Sequence, residues 1–166
     1  MGWILLALAV LGVLVTAPFV IGWMLPAAHV AERMRLLPRP PRAVWDLITD
    51  VARASQWRKD VQRVELLDAA GGARRWRELG NSGSLTLVEE LAEPPRRWIT
   101  RIDDPALPFG GRWIFSLDAE GSGTRLTIRE EGEVYNPLFR FVSRFVMGHH
   151  ATLDAYLRQL ASHLAE

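Results

Sequence analysis

The stretch over residues 137–165 sets the terms for the rest of the chain. Leu138, Phe141, Val142, Phe145, Val146, Leu153, Tyr156, Leu157, Leu160 and Leu164 recur at helical spacing, and Arg140, Arg144, Arg158 and Gln159 fall largely on the other side. Asn136 is a good cap, and Pro137 suits the first helical position, where a missing N–H costs nothing. About 29 residues at ~1.5 Å each make a rod of roughly 43 Å. A rod that long, apolar on one face, needs a partner surface of similar length. The spacing therefore predicts a curved antiparallel sheet, built from the preceding residues, that grips one long C-terminal helix.

The text upstream supplies such a sheet. Residues 29–37 alternate, with Val30, Met34 and Leu36 expected on the buried face and Arg33 and Arg35 on the other. Pro38-Arg39-Pro40-Pro41 ends that strand. Residues 42–49 read as a short helix with Val44, Trp45, Leu47 and Ile48 apolar, and Asp50 can cap a second short helical turn reaching Trp57. Strands are then expected over 61–67, 74–79, 85–92, 97–102, 112–118 and 124–135, separated by Gly-, Asn- and Pro-rich turns. Seven strands at short spacing, ended by a long helix, predict an α+β meander with a strongly bent sheet.

Residues 3–25 contain no charge. A helix of about 23 residues measures roughly 34 Å, enough for a ~30 Å hydrocarbon core. Trp3 and Trp23 lie near its two ends, and Pro18 is tolerable within such a helix. A cleaved signal peptide is the rival reading, but no Lys or Arg precedes the run and it exceeds the usual ~7–15-residue apolar region. The expectation is thus a transmembrane anchor over residues 1–28, a domain over 29–166, and the membrane as a partner. Arg33, Arg35, Arg39 and Arg42 follow the span, which favours the cytoplasmic face for the domain.

Charges nearly cancel at +1, which argues against nucleic acid as a partner. The absence of cysteine excludes disulfides, thiolate nucleophiles and cysteine-ligated zinc. There is no Gly-x-Ser-x-Gly elbow, no phosphate-cradling Gly-x-x-x-x-Gly-Lys and no His-Glu-x-x-His. Gly80-Asn81-Ser82-Gly83 reads as a hairpin turn. His149 follows Val142 and Phe145 in helical phase, so its imidazole could serve a ligand oxygen or act as acid or base. His150 and Asp154 stand one turn apart, yet no third metal ligand is evident. Strand parity puts Glu78 with Trp76, and Glu130 with Leu126 and Ile128. Both could face inward, where an unpaired carboxylate needs an arginine, a ligand or a proton. The plain alternative is surface pairing, such as Glu78 with Arg75 or Arg77. Parity cannot decide between Glu89 and Glu90.

The order strand, two short helices, six strands, long helix resembles the helix-grip fold of the START-related superfamily, often labelled SRPBCC, with its lipid-transfer and polyketide cyclase/dehydrase-like members. Local text is similar too: Arg39-Pro40-Pro41-Arg42-Ala43-Val44-Trp45 at the entry to the first short helix, Trp57 with Val61 and Val64-Glu65, and Glu93-Pro94-Pro95-Arg96-Arg97 before the fifth strand. The resemblance implies a cavity between sheet and C-terminal helix that holds a hydrophobic or amphipathic small molecule, such as a lipid, quinone or polyketide-like compound. Trp76, Trp98, Trp113, Phe115, Phe141, Phe145 and Tyr156 are the candidates to line that cavity or to fill it, with Glu78, Glu130 and His149 as its polar groups. No cofactor or metal is implied. Two other readings stay open: a cyclase or dehydratase using His149 and an inward carboxylate, and a protein-interaction module with a closed cavity.

Overall fold

The structure is a computed structural model that describes residues 2–81, 83–147 and 150–165. The chain opens with α1 (Gly2–Met24) and passes into β1 (Ala28–Leu37). It continues through α2 (Pro41–Thr49) and a 3₁₀ helix (Val51–Gln56) into β2 (Val61–Ala70). Next come β3 (Ala73–Gly80), β4 (Gly83–Glu93), β5 (Arg97–Ile102), β6 (Phe109–Glu120) and β7 (Gly123–Val134). Among the described residues these seven strands form one antiparallel sheet, in the order β1-β7-β6-β5-β4-β3-β2. The two short helices thus carry the chain from one edge of the sheet to the other, and the remaining hairpins bring it back beside β1.

The last segment is helical over nearly all its described length, but its winding is not uniform. Asn136 caps α3 (Pro137–Val142) by accepting from the Phe139 N–H, a π-helical stretch follows at Ser143–Met147, and α4 (Ala151–Ala165) starts after a turn at His150. The core lies between the sheet and α4. Leu153, Tyr156, Leu157 and Leu160 come from the helix, and Trp76, Trp98, Phe115, Leu126 and Ile128 from the strands. Val44, Trp45 and Ile48 of α2 join the same cluster. Leu153 and Leu160 are fully buried, and each such side chain contributes about 2 kcal/mol.

Strand β1 lies the other way round from its expected orientation. Ala31 and Leu37 are buried, so the odd-numbered face turns toward α4 and carries Arg33 and Arg35 with it. Val30, Met34 and Leu36 are exposed instead. Arg33 explains the inversion, since its Nε reaches Asp154 of α4 at 2.9 Å. The outer face of the sheet is tied by a chain of ion pairs. From β3 it runs Arg75–Asp103–Arg101–Glu90–Arg112–Glu131–Arg129–Glu32 and ends on β1.

The expected transmembrane anchor, and the cytoplasmic placement built on it, do not stand. Among the described residues no helix is long and apolar enough to cross a membrane. From Ala17 on, α1 loses exposure along one side, and Gly22 is buried against the carbonyl of Pro137, where a Cβ would collide. Arg140 closes this junction by donating to the carbonyl oxygens of Leu25, Val134 and Tyr135. Residues 2–16 form the part of α1 ahead of this contact. Trp3, Ile4, Leu6, Val13 and Leu14 on that part are exposed.

Candidate functional site

The helix side of the sheet carries three carboxylates among its apolar side chains, and each accepts a hydrogen bond from an indole. Trp76 Nε1 donates to Glu78 at 3.2 Å and Trp98 Nε1 to Glu89 at 2.7 Å, while Trp113 bonds Glu130 from the neighbouring strand. The three differ in what neutralises them. Glu78 receives Nη1 of Arg58 on both oxygens at 2.8 Å. Burial works against the Arg58 charge, but Glu78 and Asp60 outweigh it and hold its pKa above the ordinary arginine value. Glu89 receives Arg74 at 2.7 Å. Among the described residues Glu130 meets no guanidinium. Its titratable neighbour is His29, with Nε2 at 3.7 Å. Burial raises Glu130 to about 6, against which the Trp113 bond pulls only partly.

His29 reaches Glu130 because Gly132 leaves room for it. His29 and Gly132 are cross-strand partners, and a Cβ on Gly132 would run into the imidazole. Oε2 of Glu130 is buried and has no hydrogen-bond partner among the described residues. Trp113 is the β6 partner of Glu130, Phe109 shares its strand face, and Phe109 stacks on Phe139 of α3 at 5.8 Å. The site therefore sits where β1, β6 and β7 meet the α3 end of the last helical segment.

Under α4 the interior is occupied by rings. Trp76 stacks on Trp98 at 6.0 Å, Trp98 meets Phe115 at 5.0 Å, and Tyr156 packs edge-on to Trp113 and Trp57 at 5.5 and 5.1 Å. Burial pushes the Tyr156 phenol well above its usual pKa. Trp76, Trp98, Phe115 and Tyr156 are thus brought together as packed core, with Trp113 joining them to the Glu130 end. Phe141 and Phe145 lie apart from that cluster; they contact one another at 5.0 Å, and Phe145 is 61% exposed. His149 lies outside the described residues. Asp154 is taken by Arg33, and no cluster of metal-ligating side chains occurs among the described residues. Glu78 pairs with Arg58 rather than with Arg75 or Arg77, while Glu89 points inward and Glu90 joins the outer ion-pair chain. An open groove of about 590 Å³ also lies on the outer face beside Phe109 and Tyr135, but that chain takes up most of its charged lining.

Sequence reasoning missed His29, Phe109, Phe139 and Arg58. Gly132, two residues beyond an inward carboxylate, was the available signal for His29, because it marks a place on the strand where another group comes close.

Comparisons with known proteins agree with this architecture. No curated protein matches the sequence. A protein from Thermus thermophilus superposes with a TM-score of 0.67 at 21% identity, covering 82% of this chain and 97% of that one. The Zhui aromatase/cyclase from Streptomyces sp. R1128 does so at 0.62 and 17%, covering 83% and 94%. A START superfamily protein from Mycobacterium smegmatis gives 0.62 and 15%, covering 82% and 97%. These likenesses establish the fold, a START-like helix grip. The profile of one family, described as polyketide cyclase / dehydrase and lipid transport, matches residues 28–165, which is nearly the whole sheet-and-helix unit. The chain belongs to that family.

Proposed function

We propose that this protein binds a hydrophobic or amphipathic small molecule at the α3 end of the interior, with Glu130 as its polar anchor and without covalent catalysis. The observation that carries the reading is the contrast among the three inward carboxylates. Glu78 and Glu89 are neutralised by arginine and belong to the core. Glu130 is largely buried, lacks a guanidinium and keeps one oxygen without a partner among the described residues. An apolar site with one or two convergent polar groups is what orients a small ligand. A hydroxyl or amine on the ligand would satisfy the orphaned oxygen, and Trp113, Phe109 and Phe139 would cover its apolar body. The family's lipid-transport description fits such an occupant.

A second reading has one observation in its favour. A carboxylate raised to about 6 beside an imidazole at 3.7 Å is an acid–base pair suited to neutral pH. In a cyclase or dehydratase, His29 and Glu130 would then move the proton, in place of the expected His149.

Native mass spectrometry of the gently purified protein, followed by solvent extraction, tests the first reading. The expected result is a co-purifying small molecule retained by wild type and depleted in Glu130→Ala. A wild-type protein that carries nothing, and takes up no apolar probe saturably, overturns it. Turnover of poly-β-ketone compounds, abolished by His29→Asn while ligand retention persists, would favour the enzyme.

A further inference from the structure

Away from Glu130, a groove between the edge strand β1 and α4 carries uncompensated positive charge. Its volume is about 310 Å³, and its walls are Arg33, Met34, Arg35, Asp154, Leu157 and Arg158. Arg33 and Arg35 share the helix side of β1, two residues or roughly 6.6 Å apart. Arg158 stands one helical turn beyond Asp154, a spacing at which acid and base commonly pair. That pair is not formed, because Arg33 takes Asp154 from the strand. Among the described residues neither Arg35 nor Arg158 meets an acidic side chain. Three arginines therefore face one aspartate around a single groove, beside the apolar surface of Leu157 and Met34.

We propose that this groove is a binding site for an oxyanion, a phosphate ester or a carboxylate carried on a small molecule. Guanidinium groups stay charged and present a planar fork that fits either oxyanion in bidentate fashion. Arg35 approaches from the strand and Arg158 from the helix, so the anion bridges two elements. Arg33 stands beside them as a third donor, oriented by Asp154. Charge on an edge strand also discourages sheet-to-sheet association. That effect accounts for Arg35 but gives no reason for Arg158 to line the same groove from α4. The site is independent of Glu130, and its failure would leave the ligand reading untouched.

Titration calorimetry on the full chain with inorganic phosphate, phenyl phosphate and benzoate tests the site. Saturable binding of at least one is expected, weakened by about tenfold or more in the Arg35→Gln/Arg158→Gln double variant. Asp154→Asn, which removes the competing carboxylate, should bind tighter than wild type. Arg96→Gln/Arg97→Gln, altered at the β4–β5 turn, should match wild type. Binding of phosphate alone identifies a free anion, preference for phenyl phosphate an ester with an apolar body, and preference for benzoate a carboxylate. Absence of saturable binding by all three, or equal binding by wild type and the Arg35/Arg158 variant, overturns the proposal.

Discussion

Glu78 on β3 and Glu130 on β7 share one face of the sheet, yet their surroundings assign them opposite roles. The folded protein raises Glu130 to about 6 from the ordinary 4.5. Any stability tied to its neutral form is complete below about 4.5 and is lost as pH climbs through about 6, a difference of about 2 kcal/mol. Urea melts across this range should therefore show Glu130→Gln gaining on wild type between those two values and holding a constant lead above them; parallel curves would exclude the burial argument. Glu78→Ala should behave differently. It leaves the half-exposed Asp60 to offset the Arg58 charge without its buried partner, at a cost of about 3 kcal/mol at neutral pH, and replacing Arg58 by Met in the same chain should restore much of the loss. Strand parity alone brings both carboxylates to the inner face. It cannot distinguish them, because Arg58 arrives from the loop after the 3₁₀ helix and His29 from the far edge strand, and of these contacts only the second left a local trace, in Gly132.

Elements were legible in proportion to the regularity of their patterns. The hairpins announce themselves by alternation and by glycine and proline at the turns, and the last helix by its apolar stripe and its Asn136-Pro137 start. The alternation of β1 was equally clear, but its direction was misleading. Three apolar residues facing two arginines normally identify the buried face, and here the Arg33–Asp154 pair and the burial of Ala31 and Leu37 reverse it. The change of winding at Ser143–Met147 has no counterpart in the apolar spacing, which runs on unbroken through it in the sequence, while the i→i+5 turn shifts the side-chain phase and leaves Phe145 exposed. The α1–α3 contact is closest at one residue, Gly22. Gly22→Ala places a methyl against the Pro137 carbonyl and should lift the end of α1 from α3. Hydrogen exchange should then accelerate around Leu25, while the urea midpoint of the sheet stays close to wild type. Unchanged exchange there would mean that the helix adjusts without leaving.

On the scale of the whole molecule, the order of elements was the readable part, because each strand is short, alternating and bounded by turn residues. Occupancy of the interior was not readable: tryptophans that could line a cavity and tryptophans that fill it have the same spacing, and only the packing of Trp76, Trp98, Phe115 and Tyr156 tells them apart. The ion-pair chain across the outer face links β3 to β1 through partly exposed groups, which salt screens. Stability should fall as sodium chloride is raised, and Arg112→Gln, which cuts the chain at its middle, should flatten that dependence. The contact between α1 and α3 has a consequence for the chain as it is made. Arg140 bonds the Leu25 carbonyl across 115 residues of sequence. At about 5–20 residues per second, Leu25 is synthesised roughly 6 to 23 s before Arg140. Until then α3 and Arg140 cannot cover the docking side of α1, so nascent α1 is a target for any factor that captures exposed apolar helices.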